Sequence, residues 1–198
     1  MRSLDAYAQL KAFTVFRTID AATLLKTNVD ACQKMLSKLV ANRLLVKLCR
    51  GIWTWPETDP YLLPEYLTAP APSYVSLQSA LYRHGVISQI PQVIYAVTLG
   101  QTRRVVTPMA TFSFHHLPSH FFFGFSPERD VKLALPEKAL LDVLYLSPAK
   151  SRLFASLPEI TLPKTFSRSQ AEAMIKKIPS RQRRTLVQKR FMDLMETT

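Results

Sequence analysis

Between residues 19 and 55 the spacing of apolar positions changes twice, and each change marks a new element. Ile19-Asp20-Ala21-Ala22-Thr23-Leu24-Leu25-Lys26 reads as a short helix, and Thr27-Asn28 as a tight polar turn. From Val29 the pattern has helical period. At 100° per residue, Val29, Cys32, Leu36, Leu39 and Val40 share one arc, and Asp30, Gln33, Lys34, Ser37, Lys38 and Ala41 the opposite one. This predicts a helix over 29–42, capped by Asn28 or Asp30, with Asp20 capping the shorter helix. Residues 45–49 and 52–55 alternate in the strand manner around Arg50-Gly51, a hairpin signal. Two helices, a turn and a hairpin predict a winged helix-turn-helix. A helix over 4–13, capped by Ser3, would pack Tyr7, Leu10 and Leu4 on it, and Val15-Phe16-Arg17 would add a third strand to the wing. Trp53 and Trp55 share one strand face and are expected to lock the wing onto the helices rather than touch DNA.

The pattern breaks at Pro56. Prolines at 56, 60, 64, 70 and 72, with Glu57, Asp59 and Glu65, predict a proline-rich connector over 59–72 across a domain junction. Beyond it, Ser76 is a candidate N-cap for a helix over 77–84 that Gly85 would stop. Strand-like runs over 92–99, 103–107, 111–117 and 121–125 are separated by turn residues and predict an antiparallel meander. A further strand over 131–135 leads into a helix opened by Pro136-Glu137. After residues 153–157 and an extended passage with Pro158 and Pro163, Ser167-x-x-Gln170 is a capping box for a helix to Ile178. Pro179 stops it, and Ser180 can cap a last helix through Met195. The expected architecture is α+β: a winged helix at 1–58, the connector at 59–72, and a meander with packed helices at 73–198.

Charge sharpens this picture. The 198-residue chain carries a net charge of +12, which favours an anionic partner such as nucleic acid. Residues 1–58 hold 9 Lys/Arg against 4 Asp/Glu, residues 59–150 hold 7 against 6, and residues 151–198 hold 10 against 4. Two basic ends framing a neutral middle suit a protein lying along a polyanion. The candidate DNA-contacting set is Thr27, Asn28, Asp30, Gln33, Lys34, Ser37, Lys38, Lys47 and Arg50. In it Gln33 and Ser37 would read base edges, and Lys34, Lys38, Lys47 and Arg50 would hold phosphates. Two recognition helices on inverted repeats, the protein binding as a dimer, would give a site long enough for specificity. Arg181, Arg183, Arg184, Lys189 and Arg190 accompany an apolar stripe of Val187, Phe191 and Leu194 in the last helix. They are either a solvated face or a second polyanion contact.

Catalytic and metal chemistry find little support. His115, His116 and His120 form a cluster, but neighbours on a strand point to opposite faces. Glu137 and Asp142 are five apart on a helix, roughly 140° from one another, a poor arrangement for a shared ion. A dipole-complementing acid and a salt bridge account for Glu137, Lys138 and Asp142 better. With four glycines and no G-x-x-x-x-G-K there is no phosphate-cradling loop. No cofactor, metal or enzymatic activity is expected. Cys32 and Cys49 read as small buried apolar residues. No apolar run is long enough to span a bilayer and no signal-peptide core opens the chain, so a cytoplasmic protein without membrane contact is expected.

Several blocks resemble the AbiEi-type antitoxins of type IV toxin–antitoxin systems used in phage defence, and they occur in that family's order. They are Tyr74-Val75-Ser76-Leu77-Gln78-Ser79-Ala80-Leu81-Tyr82-Arg83-His84-Gly85 with Ile90-Pro91, Thr107-Pro108, and Thr111-Phe112-Ser113-Phe114-His115-His116-Leu117-Pro118. Phe122-Phe123-Gly124-Phe125 and Ala134-Leu135-Pro136-Glu137-Lys138-Ala139-Leu140-Leu141-Asp142 complete the set. Past Leu146 the resemblance thins. It implies a DNA-binding repressor of its own operon, bound upstream of it. The later portion would counteract a nucleotidyltransferase-type toxin, with or without direct contact. An RNA-binding or toxin-masking protein, using the winged helix as a contact module, is the alternative class.

Overall fold

The computed structural model describes residues 3–128, 130–147 and 159–197. The side chains of Ser3 and Leu4, and the passage 153–158, lie outside that description. The chain is a mixed α+β protein with two sheets.

The N-terminal unit runs α1 (Ser3–Leu10), β1 (Val15–Arg17), α2 (Thr18–Leu24), α3 (Val29–Ala41), β2 (Val46–Cys49) and β3 (Ile52–Thr54). Its three strands form an antiparallel sheet in the order β1-β3-β2. The N-cap position of α2 is Arg17 rather than Asp20. Asp20 sits one turn in, and its carboxylate accepts from the Arg17 backbone N–H at 3.3 Å and the Arg17 guanidinium at 2.9 Å. Those bonds hold the Asp20 carboxyl below its ordinary value. Of the two candidate caps for α3, Asn28 takes the role: its side-chain oxygen accepts from Ala31 N at 2.7 Å.

Both helices end in the same way. The N–H groups of Thr27 and Leu44 reach back to the carbonyls of Ala22 and Leu39, with Lys26 (φ 50°) and Arg43 (φ 58°) in the left-handed position. Lys26 therefore sets the sharp angle of the Lys26-Thr27-Asn28 turn. Leu10, Phe16, Ala21, Ala22, Leu25, Cys32, Leu36, Leu39, Leu45, Trp53 and Trp55 form one buried cluster beneath these elements. Both indoles lock the sheet as expected. Trp53 Nε1 donates to Thr18 Oγ1 at 2.8 Å, and Trp55 Nε1 to the Phe13 carbonyl at 2.7 Å.

The connector is ordered. A 3-10 turn (Pro60–Leu62) and α4 (Pro64–Thr68) bury Leu63 and Leu67, and its acids reach in both directions. Glu57 pairs with Lys11, Asp59 with Arg83 at 3.5 Å, and Glu65 with Lys132.

The larger sheet holds β4 (Ser73–Val75), β5 (Ile94–Thr98), β6 (Arg103–Val106), β7 (Thr111–His116), β8 (Phe125–Glu128) and β9 (Val131–Ala134). Its order is β6-β7-β5-β4-β9-β8, with parallel pairing of β5 with β7 and of β4 with β9. The meander expectation is thus corrected to a mixed sheet. Fully buried Phe112 and Phe114 place β7 in the interior, and exposed Arg103 and Arg104 place β6 at the edge, where a charged strand resists further pairing. Residues 121–125, expected as a strand, instead finish a 3-10 turn (Ser119–Phe121) and begin β8 only at Phe125.

One face of this sheet meets the N-terminal unit. Ile94, Ala96, Phe112 and Phe114 form a buried cluster with Val15 and Leu48 from the small sheet and Leu63 and Leu67 from the connector. The opposite face is covered by α5 (Leu77–Arg83) and α6 (Pro136–Leu146), with α7 (Arg168–Lys176) and α8 (Arg181–Thr197) outside them. α5 ends at Gly85 (φ 69°), and Ser167 caps α7 through Gln170 N at 3.2 Å, both as expected. Ser76 opens α5 without a side-chain cap bond. Its hydroxyl instead donates to Asp142 Oδ2 at 2.6 Å.

Candidate nucleic-acid interface

The turn between α2 and α3, the outer arc of α3 and the tip of the β2–β3 hairpin present every residue of the candidate set to solvent. Thr27, Asn28, Asp30, Gln33, Lys34, Ser37, Lys38, Lys47 and Arg50 are all exposed. Cys32, Leu36 and Leu39 are buried on the inner arc of α3, while Met35 and Val40 are half-buried against the same cluster. The polar arc is therefore free because the apolar arc is fully engaged. Asn28 is a partial exception within the set, since its carboxamide oxygen is committed to the helix cap.

The hairpin tip is fixed in relation to α2. The Gly51 carbonyl accepts from Thr18 N at 3.0 Å, and Gly51 takes φ 74°, which favours glycine at this turn. Arg50 stands beside it. The ammonium of Lys47 lies 5.5 Å from the centre of the Trp53 ring, so part of its orientation is set by that π face. α3 thus shares a core with both tryptophans, and the hairpin tip beside Arg50 is tied to α2 through the Thr18–Gly51 bond.

Two residues join this surface that the sequence pattern did not assign to it. Lys26 is exposed in the turn, beside Thr27. Val29, expected on the inner arc, is 45% exposed. It precedes the first buried residue of α3, Cys32, by almost a full turn, so the helix carries it past the end of the core. Its place as the first helical residue is the signal that could have revealed this.

The basic residues of the last helix are divided. Arg183 donates to the Tyr145 carbonyl at 3.1 Å with its guanidinium 5.1 Å from the centre of the Tyr145 ring. Arg184 donates to the Ile178 carbonyl at 2.9 Å, and Arg190 to Ser147 Oγ. These three dock α8 on its neighbours, with Val187 and Phe191 buried beneath. Arg181 and Lys189 are exposed.

The acids weighed for chemistry, with His115 and His116, have partners within the fold, and His120 is exposed. Glu137 is buried and accepts from Ser167 N at 2.6 Å. Lys138 and Asp142, both fully buried, form an ion pair one turn apart. Asp142 also accepts from Ser76 Oγ and, at 3.1 Å, from Tyr74 OH. The Lys138 ammonium lies 4.0 Å from the centre of the Phe121 ring and 5.3 Å from that of Phe123. Burial pushes Lys138 down and Asp142 up, and their pairing opposes both shifts. Burial also pushes the Tyr74 phenol up. Backbone and stem meet closely here: a side chain at Gly124 would fall 3.1 Å from Lys138 Cγ. His115 is half-buried with Nε2 2.9 Å from Ser113 Oγ, while exposed His116 engages the Gly100 carbonyl through Nδ1. Among the described residues no three His, Cys, Asp or Glu side chains gather, and no helix is long and apolar enough to cross a membrane.

In comparisons with known proteins, no family model matches the chain and no curated protein matches it.

Proposed function

We propose that residues 1–58 are a winged helix-turn-helix that binds duplex DNA, with α3 in the major groove and the β2–β3 hairpin against the backbone. The observation that carries this reading is that all nine candidate residues are exposed, on a helix whose other arc is buried and on the turn and hairpin beside it. In such a module Gln33 and Ser37 face base edges, and Lys34, Lys38, Lys47 and Arg50 face phosphates. Exposed Lys26 adds a cation at the turn.

The chain as a whole is then an autorepressor of its own operon and an antitoxin that counteracts a nucleotidyltransferase-type toxin. That part rests on the resemblance to the AbiEi-type antitoxins. The blocks carrying the resemblance include Tyr74, Ser76, Lys138 and Asp142, which meet in the buried centre of the larger unit. They speak for a shared fold. The surface that counteracts the toxin is proposed to lie elsewhere on residues 73–198, where Arg181 and Lys189 are the exposed members of the second polyanion candidate.

Footprinting on the DNA upstream of the gene tests the repressor reading. The expected result is protection of two inverted half-sites whose centres lie about one helical turn apart, or a multiple of it. Equal competition by structured RNA, or protection without preferred sequence, would replace this reading with the RNA-binding one.

A further inference from the structure

The candidate set on α3 is entirely polar, yet its flank carries an apolar side chain with nothing to cover it. Val29 is the first residue of the helix and is 45% exposed. Gln33 stands one turn further on, 40° away around the axis, so the two side chains are neighbours on the surface. Asn28, immediately before it, is held by its bond to Ala31 N, which fixes the start of the helix and therefore the direction of the Val29 side chain. Val29 is β-branched, so little rotamer freedom remains to be lost on contact. The first turn of a helix entering a major groove is the part that approaches base edges, and the one apolar feature there is the thymine C5-methyl group.

We propose that Val29 reads a thymine through its methyl group, beside the base that Gln33 engages. This rests on the DNA-binding reading above and adds a specificity to it: the preferred half-site contains a thymine at which deoxyuridine is bound more weakly. The preference arises from burial of a methyl group against a branched apolar side chain. It is therefore small, insensitive to salt and separate from the phosphate contacts. Val29→Ala removes the contact and leaves the fold intact, because the position is open and alanine is the stronger helix former.

The test begins by selecting preferred duplexes from a random-sequence pool with the full-length protein. Each thymine of the selected site is then replaced singly by deoxyuridine. The expected result is one position per half-site at which the loss of the methyl weakens binding about fourfold, the equivalent of one buried methyl group. Val29→Ala should show the same loss on the thymine duplex and no further loss on the deoxyuridine one, while Val29→Thr, which keeps one methyl, falls between. If the protein selects a sequence but tolerates deoxyuridine everywhere, or if Val29→Ala remains sensitive to it, the Val29 assignment is overturned and the DNA-binding reading survives. If no sequence is selected, both are overturned.

Discussion

Trp53 and Thr18 are joined by a buried hydrogen bond, indole Nε1 to hydroxyl oxygen at 2.8 Å, which ties the central strand of the small sheet to the first residue of α2. Thr18 N–H meanwhile donates to the Gly51 carbonyl at 3.0 Å, so one residue orients both the base and the tip of the hairpin. Thr18→Val keeps the shape and leaves the indole donor unpaired. It should lower unfolding free energy by about 1–3 kcal/mol in urea titration. It should also weaken DNA binding beyond what lost stability explains at low temperature. Stability equal to wild type would show that the bond contributes nothing.

The shared cluster of Val15, Leu48, Leu63, Leu67, Ile94, Phe112 and Phe114 means that the two units do not have fully separate cores. A proline-rich connector suggests that residues 73–198 would fold after removal of 1–58. The structure gives the opposite expectation, since that cut uncovers Phe112 and Phe114, both fully buried. The truncated chain should bind a hydrophobic dye and melt well below the full chain. In the full chain, Leu48→Ala should cost about 2–5 kcal/mol and lower one common unfolding transition. Two separate transitions, with only the N-terminal one shifted, would contradict the shared core.

Lys138 and Asp142 are both fully buried, so removing Asp142 leaves the Lys138 amine buried without its ion-pair partner. Asp142→Ala should destabilise by about 3–5 kcal/mol, and a double replacement of Lys138 by Met and Asp142 by Leu should recover much of that loss. Thermal denaturation of the wild type and the two variants checks this. A double variant no more stable than Asp142→Ala would show that the hydroxyls of Tyr74 and Ser76 depend on the carboxylate more than the ammonium does.

Burial holds the imidazole of His115 down, at about 4. Between that value and the ordinary one near 6.5 the unfolded chain binds more protons than the folded one, so stability rises with pH. The contribution is fully present above about pH 6.5 and is lost progressively as pH falls toward 4. His115→Gln should flatten the stability profile across that window, with the carboxylates common to both proteins cancelling in the difference. Parallel profiles would place the titration elsewhere.

Much of the N-terminal unit was legible because its signals are local. Asn28 and Ser167 announce caps, Gly85 announces a helix end, and the period of Cys32, Leu36 and Leu39 marks a buried arc. The ends of α2 and α3 were not legible in the same way, because the left-handed positions are filled by Lys26 and Arg43 rather than glycine. Strand order was hidden for a different reason. Alternation in Phe112-Ser113-Phe114 tells which face is buried, but not that β7 pairs in parallel with β5 and excludes β6 from it. At the C-terminus, charge alone did not show that Arg183, Arg184 and Arg190 have carbonyl and hydroxyl partners outside their own helix. At the candidate interface the sequence assigned the polar residues, and it missed Val29 because a helical projection does not show where the core stops.

The claim that α3 reads sequence is tested most directly by the affinities of wild type, Gln33→Ala and Arg50→Ala for operator and random duplexes across a range of salt. Gln33→Ala should lose about 1–3 kcal/mol on the operator and almost nothing on random DNA. Arg50→Ala should weaken both alike and reduce the salt dependence by about one unit per bound protomer. Equal losses on operator and random DNA for Gln33→Ala would contradict the account.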